Sequence, residues 1–310
     1  MTPGSNVTLP AASVVVPTFR RPGPLRRCIK ALAQLDYPRE RLEVVIVDDG
    51  GQDLSAGALA VLAPDLVVRL VSQAENGGPA KARNLGANRA SGDLLAFTDD
   101  DCRPRPSWLR DLACALHAEP SALVGGRVGN ALDQNLFATA SQDLVSYLYD
   151  YFPRARALLP FFTANNMACR REEFLRVGRF DETFRYSAAE DRDLSERWAG
   201  EIGPLRHVRN AVVDHYHELT FRRFVRQHHY YGRGGVHLTR RRRRRGHGPL
   251  RPEPLGFYAA MLAYPVRHRG WRRGSLIAAL LALSQIAGLT GMLAEAVRPV
   301  ALVSGPNQIS

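Results

Sequence analysis

Three adjacent carboxylates, Asp99, Asp100 and Asp101, follow directly on the apolar run Leu94-Leu95-Ala96-Phe97-Thr98. Crowded at a strand end they repel one another, and a bound cation relieves that cost. Positions i and i+2 of an extended segment point the same way. Asp99 and Asp101 can therefore share one side of a Mg2+ or Mn2+ whose remaining ligands are diphosphate oxygens. The same triplet also suits a solvated acidic loop or the N-terminal charge of a helix opening near Pro106 to Leu109.

Two other segments offer polar groups to a nucleotide. Asp48-Asp49-Gly50 ends a second apolar run, where a carboxylate can accept hydrogen bonds from a ribose hydroxyl or a base N–H. Asp-Gly is equally a favoured turn pair. Asn76-Gly77-Gly78-Pro79-Ala80-Lys81-Ala82-Arg83-Asn84 follows a third run. Its glycines let the backbone approach a ligand, Pro79 suits a first helical position, and Lys81 and Arg83 add positive charge. Neither Gly-x-Gly-x-x-Gly nor a Walker loop occurs, which disfavours a dinucleotide or ATP site. Glu190-Asp191 opens a helical run to Ala199, and acids there are also ordinary N-terminal helix charge. His215 and His217 share one face of a strand by its period of two, as ligands or as polar edge residues.

These groups need a frame to gather them. Ser13 to Val16, Val44 to Val47, Leu66 to Val71 and Asp93 to Thr98 read as buried strands. Helical patterns at Arg21 to Leu35 and Ala80 to Ala90 lie between them. Continuous Val/Ile/Leu strands alternating with helices predict an α/β fold with a mostly parallel central sheet covered on both faces. In such sheets ligands gather beyond the carboxyl ends of the strands, where Pro17-Thr18, Asp48-Asp49 and Asp99 to Asp101 fall. Further along, short strands are expected at Leu123-Val124, Thr163 to Cys169 and Ala211 to Val213, with helices at Arg171 to Val177 and Glu190 to Ala199. Gly125 to Phe162 is read as loops that decide specificity.

The chain has 310 residues and a net charge of +12, carried almost wholly by arginine; Lys30 and Lys81 are the only lysines. Arginine excess favours phosphate-bearing partners or reflects composition alone. Four cysteines show no Cys-x-x-Cys spacing, which fits a reducing compartment. Residues 1–13 lack a basic start followed by an apolar stretch, so no signal peptide is expected.

Taken in order, these segments resemble the successive motifs of family 2 glycosyltransferases. The resemblance rests on Val14-Val15-Val16-Pro17-Thr18-Phe19-Arg20-Arg21, Val47-Asp48-Asp49-Gly50, the Asn76 to Asn84 loop and Asp99-Asp100-Asp101. Thr163 to Arg171, Val177 to Glu182 and Glu190-Asp191-Arg192-Asp193-Leu194 continue it. It implies a GT-A fold and an inverting, metal-dependent sugar transfer from a nucleotide-sugar donor to a hydroxyl-bearing glycan or lipid-linked acceptor, in cell-envelope synthesis. Thr18, Asp48 and Asp49 would lie at the nucleoside and Arg83 near ribose or phosphates, with Pro17, Arg20, Gly78, Lys81 and Asp100 completing the donor set. Asp99 and Asp101 would hold Mn2+ or Mg2+, joined by His215 or His217. Asn165, Asn166 and Met167 would serve the acceptor, Asp191 would be the general base, and Glu190 would orient the site. The segment Phe224 to Gly234 lacks the Trp of the Gln-x-x-Arg-Trp motif of processive synthases, which argues against polymer extrusion.

By this reading residues 1–11 form an extension, 12–111 the donor half, 112–218 the acceptor half and 219–310 a helical basic tail. The tail holds the arginine run 240–245 and an apolar segment, 275–294, long enough to cross a bilayer. A spanning, surface-lying or buried helix all fit it. Anionic lipid is favoured over nucleic acid for the basic run because an apolar segment follows. The expected location is the cytoplasmic face of the cell membrane. A nucleotidyltransferase would need a Gly-rich N-terminal loop, whereas Pro17-Thr18-Phe19 follows Val16; a non-catalytic basic binding protein is the remaining alternative.

Overall fold

The computed structural model describes residues 8–51, 54–156, 161–184 and 188–297. Most of the expected 1–11 extension and the end of the tail lie outside the described residues.

The N-terminal part of the sheet is built as its hydrophobic pattern dictates. Strand β1 (Ala12–Thr18) and β2 (Leu42–Asp48) are buried almost throughout, as strands covered on both faces must be. Between them α1 (Pro22–Leu32) starts on a proline and buries Leu25, Cys28, Ile29 and Leu32, one stripe at helical spacing. A short α2 (Ala56–Ala60) is capped by Ser55, and β3 (Val67–Ser72) is a half-exposed edge. Helix α3 (Pro79–Arg89) follows Gly78, whose φ of 86° suits glycine. Strand β4 (Leu94–Phe97) then delivers the three aspartates.

The second half adds β5 (Cys102–Pro104), α4 (Trp108–Ala118), β6 (Leu123–Asn130), α5 (Leu136–Arg156), β7 (Met167–Arg170), α6 (Arg171–Arg176), α7 (Glu190–Glu201) and β8 (Leu205–His215). One eight-stranded sheet results, in the order β3-β2-β1-β4-β7-β6-β8-β5. Strands β3, β2, β1 and β4 run parallel, β7 is antiparallel to its neighbours β4 and β6, and β6 pairs parallel with β8. Strands β1, β2, β4 and β8 therefore end at the same edge, which brings Thr18, Asp48, the aspartate triplet and His215 towards one another. One core layer under α1 and α4 and another under α3, α6 and α7 cover the two faces.

Three long helices complete the described chain: α8 (Phe221–Arg244), α9 (Leu255–Arg269) and α10 (Trp271–Ala296). They pack with α5 around a third core containing Tyr147, Phe224, Phe257, Met261, Ile277 and Leu281. Two expectations change here. Gly125 to Phe162, read as loops, holds most of β6 and the 21-residue α5. The arginine run, expected to meet lipid head groups, is largely paired within the protein. Arg240 meets Glu295, Arg241 Asp181, Arg242 Glu196 and Arg245 Asp193. Those acids come from α10, from α7 and from the turn before it, so the run straps α8 to these elements. Arg243 and Arg244 stay exposed.

Candidate active site

A cleft of about 1260 Å³ opens at the carboxyl edge of the sheet and extends between α5, α7 and α8. The aspartate triplet forms its floor. Thr18 Oγ1 donates to Asp100 Oδ2 at 2.7 Å. Arg21 bridges Asp100 and Asp101, each at 2.8 Å. Burial pushes the Asp100 carboxyl up to about 7 despite Arg21 and Thr18. Burial opposes ionisation of Asp101 too, yet His215 and Arg21 hold that carboxyl below the usual range.

His215 Nε2 lies 3.2 Å from Asp101 Oδ1. Burial alone would lower this histidine, but Asp101 outweighs it and raises it. His217 stacks on His215 with ring centroids 4.9 Å apart, and burial together with that neighbour pushes it down to about 4. The donor atoms of Asp101, Cys102 and His215 lie within 4.8 Å of one another. Burial raises the Cys102 thiol well above its ordinary value, and this side chain lies in the core under α1 and α4 rather than in the cleft lining. What remains is carboxylate and imidazole, with the Asp99 side chain 30% exposed at the cleft. Such an oxygen-rich set suits Mn2+ or Mg2+ better than a thiolate-seeking metal. The residues present therefore fit a divalent ion.

Arg83 joins this floor to α7. It is 2% exposed and meets Asp99 Oδ1 at 2.7 Å and Glu190 Oε1 at 3.1 Å. Glu190 is buried behind Asp191, which is half-buried in the cleft wall and accepts from the Arg192 N–H at 2.8 Å. Burial raises both carboxyls; Arg83 pulls Glu190 back, and Arg192 and the Ala164 backbone pull back Asp191. Ala189, just before them, sits in the left-handed region at φ 73°.

The remaining expected residues divide. Pro17, Thr18, Arg20, Asp49, Gly78, Arg83 and Asn165 line the cleft. The Asp49 carboxylate, however, accepts from Gln73, Asn76 and the N–H groups of Gly77 and Gly78, so it shapes the glycine loop. Asp48 lies outside the cleft lining and accepts from Gly51 N at 2.9 Å. Lys81 is exposed on α3, away from the lining. Asn166 and Met167 also do not reach it. The Asn166 amide accepts from Trp108 Nε1 and donates to the carbonyls of Arg127 and Ala211, tying three elements together. Met167 is fully buried in the core, because β7 turns its side chain into the layer under α3 and α7. Sequence reasoning gave Arg21 no role, although it closes the first motif beside Arg20. It also missed the α8 wall of Arg223, Arg226, Gln227, Tyr230 and Tyr231.

The family model for glycosyl transferase family 2 matches residues 13–178, more than half of the chain. This chain belongs to that family. The match ends before α7, so Glu190 and Asp191 lie beyond it. Over 123 residues this family 2 chain is 34% identical to Glycosyltransferase AglE of Haloferax volcanii, covering 39% of the chain and 40% of that protein. Over 237 residues it is 29% identical to the Pre-mycofactocin glycosyltransferase of Mycobacterium tuberculosis, covering 73% of the chain and 47% of that protein. It thus spans less than half the length of either curated relative. Among solved structures it resembles the mannosyltransferase PcManGT from Pyrobaculum calidifontis, in complex with GDP-Man and Mn2+, at a TM-score of 0.62 and 20% identity, covering 91% and 87% of the two chains. That likeness shows the fold, a GT-A arrangement of a central sheet flanked by helices.

Proposed function

We propose that this family 2 chain is an inverting glycosyltransferase that moves one sugar from a nucleoside-diphosphate donor to a hydroxyl acceptor with a divalent ion bound. The observation that carries the reading is that Arg83 links Asp99, on the floor of the cleft, to Glu190, next to Asp191 in its wall. Asp99, Asp101 and His215 would hold Mn2+ or Mg2+, which supplies positive charge to the departing diphosphate. Arg20, Arg21 and Arg83 add fixed positive charge on the same side. The Asp191 carboxylate takes the proton of the acceptor hydroxyl as that oxygen attacks the anomeric carbon. The bond from that carbon to the diphosphate oxygen breaks, its electron pair leaves with the nucleotide, and the configuration inverts. Glu190, paired with Arg83, orients the first turn of α7.

Beyond Asp191 the cleft is lined by Leu144, Val145 and Leu148 of α5 and by Arg223 and Arg226 of α8. Apolar side chains beside arginines suit an acceptor with an anionic group and an apolar chain, such as a lipid-linked one in envelope synthesis at the inner face of the membrane.

A thermal-shift screen of UDP-, GDP- and dTDP-sugars with and without Mn2+ tests this. One donor stabilises the protein only with metal, and Asp99→Ala with Asp101→Ala abolishes the shift. Asp191→Asn keeps the shift and loses transfer. A full shift in the double variant overturns the metal assignment, and undiminished transfer by Asp191→Asn overturns the base.

A further inference from the structure

We propose that the outer face of α10 is a membrane-surface site, on which the protein lies flat against an anionic bilayer without crossing it. The proposal stands apart from the transferase reading.

Helix α10 is 26 residues long, and its most apolar stretch has a mean hydropathy of 2.0. At 3.6 residues per turn it has two distinct sides. Gly274, Ile277, Leu281, Ser284, Ala287 and Gly291 face the protein and are buried. Leu276, Ile286, Leu289, Leu293 and Val297 face outward, each at least 58% exposed. The polar side chains between them are paired: Ser275 Oγ donates to the Trp271 carbonyl, Gln285 Nε2 to Ser284 Oγ and Thr290 Oγ1 to the Ala287 carbonyl. Large apolar side chains exposed together along one side of a helix form the kind of patch that marks an interaction surface.

The inner face is fixed too firmly for α10 to thread a bilayer alone. A Cβ on Gly232 of α8 would lie 1.9 Å from the Gly288 carbonyl oxygen, and one on Gly291 would lie 1.9 Å from that of His229. Backbones that close leave no room for lipid between the helices. Arg233 of α8 pairs with Glu295 of α10 at 2.8 Å. Helix α8 also carries Arg222, Arg223, Arg226 and Arg240 to Arg244, which hydrocarbon would not accept. So α10 stays on the protein and offers only its outer side.

Charge decides what that side meets. Arg267 in the last turn of α9 and Arg272 in the first turn of α10 are exposed. At its other end Arg240 Nη2 donates to the carbonyls of Glu295 and Ala296, which brings the exposed Arg243 and Arg244 nearby. The single acid of α9 and α10 is Glu295, spent on Arg233 and Arg240. An apolar stripe with arginine at both ends matches an acyl layer beneath anionic head groups. A second copy packed antiparallel on the stripe would set arginine against arginine. Trp271, 77% exposed at the stripe's start, is the side chain expected at head-group depth.

Trp271 also reports the event, because the other two tryptophans, Trp108 and Trp198, are fully buried. The full chain is titrated with phosphatidylcholine vesicles containing about one quarter phosphatidylglycerol. Binding is read by flotation and by the blue shift of Trp271 emission. Wild type binds these vesicles and binds pure phosphatidylcholine about tenfold less. Ile286→Gln with Leu289→Gln and Leu293→Gln lowers partitioning about tenfold or more while circular dichroism and melting stay as in wild type. Arg243→Gln with Arg244→Gln weakens binding only to the anionic vesicles. Failure of wild type to bind, or equal binding by the triple variant, overturns the proposal. So does a wild-type dimer that ignores vesicles and that the triple variant dissociates, which would assign the stripe to self-association.

Discussion

Arg83 and Glu190 form a buried ion pair, 3.1 Å from Nη1 to Oε1, between α3 and the first turn of α7. The two lie 107 positions apart in the chain. Because the same guanidinium also holds Asp99, the carboxylate floor of the cleft and the helix bearing Asp191 are positioned by one side chain.

Removing that guanidinium leaves Glu190 buried without its cation. Breaking one partner of a buried pair costs more than the pair itself contributes, so Arg83→Ala destabilises by about 3 kcal/mol. Glu190→Gln keeps an acceptor for Arg83 and costs about 1 kcal/mol. Urea unfolding of both variants checks the order, and equal losses would refute it.

Acid inactivation reports on Asp191. Burial raises this carboxyl above the ordinary aspartate value, and in its proposed role as base it must be deprotonated to accept a proton. Activity is therefore full above its raised pKa and is lost as pH falls through it, at a higher pH than an exposed aspartate would require. The acid limb of kcat/KM measures this. Asp191→Asn lowers kcat by roughly a hundredfold or more and removes the limb.

Ala189 is held at φ 73° directly before the acidic turn, where a Cβ is strained. Ala189→Gly relieves the strain but loosens the unfolded chain, for a net gain of about 0.5 kcal/mol. Ala189→Val loses stability. Denaturation midpoints of the pair decide it.

The α8–α10 crossing tolerates no side chain at Gly232, where a Cβ would meet the Gly288 backbone. Gly232→Ala forces the helices apart and costs about 2 kcal/mol, as overpacking does. Gly235, on the same helix with nothing near its Cβ position, is the control: Gly235→Ala gains about 0.5 kcal/mol from helix propensity. Thermal melting separates the two.

The amino-acid sequence by itself determined the N-terminal part of the sheet. Val14 to Val16 and Val44 to Val47 are buried on both faces, so unbroken apolar runs announce a parallel sheet without reference to anything distant. The positions of Thr18 and Asp99 to Asp101 follow from where those runs stop. Helix α5 stayed hidden because it packs on elements from several parts of the chain and mixes Asp143, Asp150 and Pro153 among its apolar residues, which blurs a helical stripe. Tertiary structure alone decided which polar groups are free. Asp49 is spent on the amides of Gly77 and Gly78, Asn166 on three separate elements, and Arg245 on Asp193, 52 positions away. Side chains alike in sequence line a cleft, brace a loop or strap two helices according to which partners the fold brings within hydrogen-bond distance, a contact that acts only over about 3 Å.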